Sequence, residues 1–145
     1  MAKKQKRDYQ RSRVYKSEHA LGLGKKFYSV KGIQDYVSHF VNSQWWRKRF
    51  NIEYVLVTSI RRSSNYAYSM IALPKVGTIW IPKDMFRELV ILHELAHLVV
   101  PEDEPMHGKI FAGTYLKLVQ KKMGKEKRDQ LLRQYEKNKV KWEKV

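Results

Sequence analysis

Apolar positions along this chain fall into two rhythms. Over 33–46 they recur at Ile33, Tyr36, Val37, Phe40, Val41 and Trp45, the three-and-four spacing of one helix face. Three β-branched and aromatic runs follow at 53–58, 66–73 and 78–81, and read as strands. A polar turn at 61–65 separates the first two, Pro74 and Gly77 bracket the next turn, and Pro82 stops the third strand. Such short connections predict mainly antiparallel neighbours. The stretch 85–100 is apolar almost all round, which predicts a central, buried helix with Asp84 as its N-cap and Pro101 at its end. Two further helices are predicted over about 107–123 and 126–137. The first turns Ile110, Phe111, Tyr115, Leu118 and Val119 inward and stops at Gly124; the second turns Leu131, Leu132 and Tyr135 inward. Val14 and Tyr15 read as the start of a short strand, and Gly22 and Gly24 mark a loop ending near Phe27. The expected fold is α+β: an N-terminal helix, a three-stranded mainly antiparallel sheet, a buried central helix and two C-terminal helices.

Length and composition sharpen this picture. At 145 residues the chain fits one domain, expected over 14–145 behind a basic flexible arm at 1–13. It contains no cysteine, which excludes disulfides, thiolate metal sites and a cysteine nucleophile. No apolar run approaches the length of a membrane span, and no apolar stretch follows the basic start, so a cytoplasmic protein without a secretory leader is expected. The net charge of +16 points to an anionic partner, with DNA or RNA first. Lys3, Lys4, Arg7, Arg11 and Arg13 on the arm, and Lys121, Lys122 and Lys125 near the C-terminus, are the candidate contacts. A lysine-rich surface serving only solubility is the alternative, and the two-to-one excess of lysine over arginine weakens the case for bidentate phosphate reading. Trp45 and Trp46 beside Arg47, Lys48 and Arg49 could stack on bases, but core packing is the reading favoured.

The chemistry concentrates in the central helix. Three of the five histidines lie between positions 93 and 107. His93-Glu94-Leu95-Ala96-His97 is an HExxH sequence, whose two histidines, four apart, share one helix face and can meet on one point. Neutral imidazoles suit zinc, and three protein ligands leave a fourth position for a water whose pKa falls to about 7. Glu94, turned about 100° round the axis, reaches such a water as a general base without ligating. A third ligand is required, and His107, returning after an acidic turn, is the choice. Glu102, Asp103 and Glu104 compete for that place, or hold a ligand imidazole from behind.

Beyond HExxH, the segment His107-Gly108-Lys109-Ile110-Phe111 resembles the His-Gly-x-x-Phe that opens the next helix in SprT-like zincin metalloproteases. Over most of its length the chain also resembles a set of short metallohydrolase-type proteins of actinobacteria and their phages, through Val14-Tyr15, Trp45-Trp46, Pro101 and the His-Gly pair. The resemblance implies a compact zincin-like domain, a zinc ion on His93, His97 and His107, and hydrolysis of a protein or peptide substrate with Glu94 as base. It also implies that Phe111 packs, and that an extended substrate pairs with the strand at 78–81. Tyr66, Tyr68, Arg87 and Tyr115 are candidates for stabilising the oxyanion. The sequence departs from the family in lacking a cysteine zinc ribbon, and Val100 stands where metzincins carry glycine. The rival expectation is a nucleic-acid-associated binding or assembly protein whose metal site is structural or vestigial. Oligomeric state is not legible.

Overall fold

The computed structural model of the protein describes residues 7–60 and 66–145. Residues 1–6 of the expected arm and the polar turn expected at 61–65 lie outside the described residues. The described residues form six α-helices and a three-stranded mixed sheet, an α+β arrangement. The chain gathers into two compact units.

The first unit, Lys25–Val99, holds the sheet. Helix α2 (Val30–Val41) starts at Ser29, whose hydroxyl accepts from the Gly32 N–H at 3.0 Å, and buries Ile33, Val37, Phe40 and Val41. The helix expected over 33–46 breaks in two. Asn42 caps α2, and Ser43 accepts from the Trp46 N–H at 3.2 Å to start the short α3 (Gln44–Arg47). The break turns Trp46, rather than Trp45, into the core, where its Nε1–H donates to the Ile52 carbonyl at 2.8 Å. Trp45 stacks on Phe40 and carries the Arg49 guanidinium 4.4 Å from its ring centroid, so packing accounts for this aromatic pair.

The strands are β1 (Tyr54–Ile60), β2 (Tyr68–Leu73) and β3 (Val76–Pro82), in the order β1-β3-β2. This corrects the expected antiparallel neighbours: β1 runs parallel to β3, and only β2 and β3 form an antiparallel pair. The reason lies in β3. Gly77, Thr78, Ile79 and Ile81 are all buried, and the strand with most to bury takes the centre. The turn after β2 is Pro74-Lys75, with Lys75 at φ 67°, and Gly77 belongs to the strand. A Cβ at Gly77 would sit 2.7 Å from the Leu98 side chain, so glycine here lets the next helix lie close on the sheet. The opposite face leaves Tyr54, Leu56, Tyr68 and Met70 exposed, with Tyr68 stacked on Trp80 at 4.8 Å.

That next helix is α4 (Glu88–Val99), which buries all of its first nine residues. It starts later than the expected 85, and Asp84 is not its N-cap but an exposed member of a 3₁₀ turn, Lys83–Met85. The intervening backbone is engaged elsewhere: the Phe86 carbonyl accepts from the Phe27 N–H, and the Glu88 N–H donates to the Lys25 carbonyl, each at 2.8 Å. Glu88, buried in the first turn of α4, accepts a 2.6 Å hydrogen bond from the Tyr36 hydroxyl. Burial and the neighbouring carboxylate both push the Tyr36 phenol far above its ordinary pKa.

The second unit comprises the described residues 7–24 together with Val100–Val145. Helix α1 (Arg11–His19) replaces the strand expected at Val14. It buries Val14, Ser17 and Glu18, a helical spacing. The described end of the expected arm therefore joins the fold, with Gln10 buried just before α1. Helix α5 (Lys109–Met123) starts two residues later than expected and buries Phe111, Ala112, Tyr115, Leu118 and Val119. Helix α6 (Lys125–Lys137) packs on α5 and α1 through Leu131 and Tyr135, with Leu132 half-buried. The final segment lies along α5, where the Glu143 N–H donates to the Lys109 carbonyl at 3.0 Å. Gly113 permits this approach, because a Cβ there would fall 1.7 Å from the Glu143 carbonyl oxygen.

Tyr36→Phe removes the hydroxyl donor from a buried carboxylate. We expect a loss of roughly 1–3 kcal/mol in urea unfolding with an unchanged m value; an unaltered midpoint would show that the Glu88 contact contributes nothing.

Candidate metal centre

Helix α4 carries His93 and His97 one turn apart, with Glu94 buried beside His93 and Leu98 seated on Gly77. The two Nε2 atoms lie 3.1 Å apart, with the ring planes at 65°. His93 is buried and His97 half-buried. Two neutral imidazoles facing each other through the same nitrogen can share one proton between them, whereas a common cation engages both lone pairs.

His107 lies just before α5 and is buried. The Tyr15 and Phe111 rings flank its imidazole, with centroids 5.4 and 5.1 Å away. Asp8 engages His107 twice. The His107 backbone N–H donates to one carboxylate oxygen at 3.1 Å, and ring Nδ1 lies 2.9 Å from the other. Gln10 holds the same residue through its carbonyl, which accepts from Nε2 of the glutamine at 3.1 Å.

The ligand nitrogens of His93, His97 and His107 all lie within 4.8 Å of one another, so the three buried or half-buried rings are positioned to bind a metal ion. The donor set fits zinc: at bonds of about 2.0–2.1 Å, a tetrahedral ion spaces its nitrogen ligands roughly 3.3 Å apart, close to the His93–His97 separation. Three neutral imidazoles also suit other first-row ions. Glu94, on the same helix, is not a member of the ligand group.

The acidic turn supplies no ligand to this group. Glu102 is exposed, Asp103 and Glu104 are half-buried, and His107 is the third member. Asp8 holds the His107 imidazole, a carboxylate contact of the kind considered for that turn. Sequence reasoning missed it because 99 residues separate Asp8 from His107. The available signal was that Asp8 is the sole acid among the first thirteen residues.

The strand at 78–81 does not offer an open sheet edge, because β3 is the middle strand and is paired on both sides. The outer edge of β1 is engaged by Gln34: its amide donates to the Val55 carbonyl and accepts from the Val57 N–H, both at 2.8 Å. Among the described residues no side chain caps the outer edge of β2 in this way. Of the oxyanion candidates, Tyr66 and Tyr68 are exposed, Arg87 is half-buried and Tyr115 is fully buried beside Phe111.

Of the cations considered for nucleic acid, Lys3 and Lys4 lie outside the described residues. Arg7, and Arg11 and Arg13 on α1, are exposed, as are Lys121 on α5 and Lys125 at the start of α6; Lys122 is half-buried. The Arg13 guanidinium donates to the Lys139 carbonyl at 3.4 Å, which brings N-terminal and C-terminal basic segments together. No helix among the described residues is long and apolar enough to cross a membrane. No family model, curated protein or solved structure matches the chain.

Zinc binding to the folded protein alone raises its stability, by about 2.7 kcal/mol at a free concentration one hundred times Kd. We expect one equivalent of zinc to raise the unfolding temperature of the wild type and leave His97→Ala unmoved. An equal rise in both proteins would place the ion elsewhere.

Proposed function

We propose that this protein is a metal-dependent hydrolase, a zinc metallopeptidase of the SprT-like zincin type. The observation that carries this reading is the buried Glu94 beside His93, on a helix whose two histidines face each other through Nε2. A purely structural metal has no use for that carboxylate, and structural zinc sites are closed by four protein ligands rather than three. The tail of the motif adds support. Phe111, the aromatic of the His-Gly-x-x-Phe segment, lies edge-on to the His107 ring at 5.1 Å, the packing role implied by the resemblance.

A zinc ion on three imidazoles would supply a Lewis acid and would lower the pKa of a coordinated water to about 7. His93, His97 and His107 would hold it. Glu94 accepts the proton of the attacking water and returns it to the leaving amine nitrogen, so that hydrolysis breaks the C–N bond and leaves an acid and an amine. Burial of Glu94 keeps bulk water from competing for that proton. The outer edge of β2, rather than β3, receives an extended peptide as an added strand, with main-chain hydrogen bonds as the generic part of recognition. The net charge of +16 supports action on proteins held near DNA or RNA, where an exposed basic surface raises local concentration.

The test is Glu94→Gln, which keeps shape and removes the base. We expect retained zinc and a fall in casein hydrolysis of about 10²–10⁴-fold. Undiminished hydrolysis in this variant would remove Glu94 from its role.

A further inference from the structure

A histidine ligates through one nitrogen only, and the other nitrogen decides which. For His107 that second nitrogen is Nδ1, which lies 2.9 Å from Asp8 Oδ2. The side chains of the pair are 4% and 23% exposed, so water competes little for this contact. The carboxylate also takes the His107 backbone N–H on its other oxygen, at 3.1 Å. With ring and main chain on one carboxylate, both the tautomer and the rotation of the ring are set.

Asp8 is itself held in place two residues on. The Gln10 side chain is 1% exposed and satisfies three groups. Its Nε2 donates to the carbonyls of His107 and Lys141, each at 3.1 Å, and its Oε1 accepts from the Lys141 N–H at 2.7 Å. The amide thus joins the N-terminal segment, the residue proposed as third ligand and the C-terminal segment in one knot. A glutamine buried with its donors and acceptor all matched is a specific connection, because leaving any of them unmatched is costly. Asp8 and Gln10 flank a single residue, Tyr9, which is exposed. The residues on either side of Tyr9 therefore engage His107 while Tyr9 itself points to solvent.

We infer that Asp8 is the positioning residue of the metal centre. It fixes His107 as the Nδ1–H tautomer and presents Nε2 as the ligand atom, while Gln10 anchors Asp8 to the C-terminal segment. Metal affinity is then a property of the N-terminal segment as well as of the HExxH helix. This inference rests on the metal-centre reading and deepens it, because it assigns the control of ligand geometry to a residue outside the motif.

The test uses the full chain with Asp8→Ala and Asp8→Asn, measuring zinc affinity by competition with a chromophoric chelator. Long-range proton–nitrogen NMR of the metal-free protein reads the His107 tautomer. Asparagine has the size of aspartate, but its amide offers one acceptor oxygen where the carboxylate offered two. It cannot accept from both the backbone N–H and Nδ1–H, and it places an NH₂ group against one of them. We therefore expect both variants to bind zinc about 10–100-fold more weakly than wild type. We also expect the Nε2–H tautomer of His107 to appear in both variants and to be absent from wild type. A merely structural role would lower the metal-free unfolding temperature while leaving the Asp8→Asn tautomer and zinc affinity as in wild type, and that result would overturn the inference. A wild-type protein that binds no zinc would instead overturn the metal centre itself, a distinguishable failure.

Discussion

The constraint that organises this molecule is the placement of two imidazoles, one buried and one half-buried, that face each other on one turn of an apolar helix. Polar rings in such a place are costly unless they share a partner. The surroundings of α4 enforce their position: Leu98 seats on Gly77, Glu88 is held by Tyr36, and residues 25–27 pair with the backbone just before the helix. Each contact limits rotation or sliding of the helix, and so limits where His93 and His97 can point. The Nε2–Nε2 distance of 3.1 Å follows from helical spacing once the helix is fixed.

His107 reaches its place by different means. No regular element carries it, since α5 begins at Lys109. Its direction is set by hydrogen bonds that it donates to Asp8 and accepts from Gln10, and by the Tyr15 and Phe111 rings. A loop imidazole held in this way depends on residues distant in sequence, and those residues depend on the C-terminal segment that Gly113 lets lie against α5. The cost of holding one imidazole is thus spread over both ends of the chain, while the other two are supported by a sheet.

The existence of the main helices and strands was legible in periodicity, as were the HExxH helix and His107, because these rest on local spacing. Strand order was not. Short turns argued for antiparallel neighbours, yet the most buried strand, β3, took the centre and left β1 parallel to it. The unbroken apolar run Ile79-Trp80-Ile81 is the sequence signal for a central strand, and it competes with the short turns. The strand expected at Val14 became a helix because Val14, Ser17 and Glu18 bury together, a pattern that the surrounding charges obscure. Gly77 read as a turn residue, since only tertiary packing reveals that Leu98 needs the space. Asp8 was invisible for the same reason: nothing local connects it to position 107.

The central claim is a three-imidazole metal centre with an open coordination position. X-ray absorption at the zinc edge of the purified, zinc-loaded protein tests it most directly. The account predicts a shell of three histidine nitrogens and one light oxygen donor at about 2.0–2.1 Å. A shell of four protein ligands, or a zinc ion without histidine in its first coordination sphere, would contradict it.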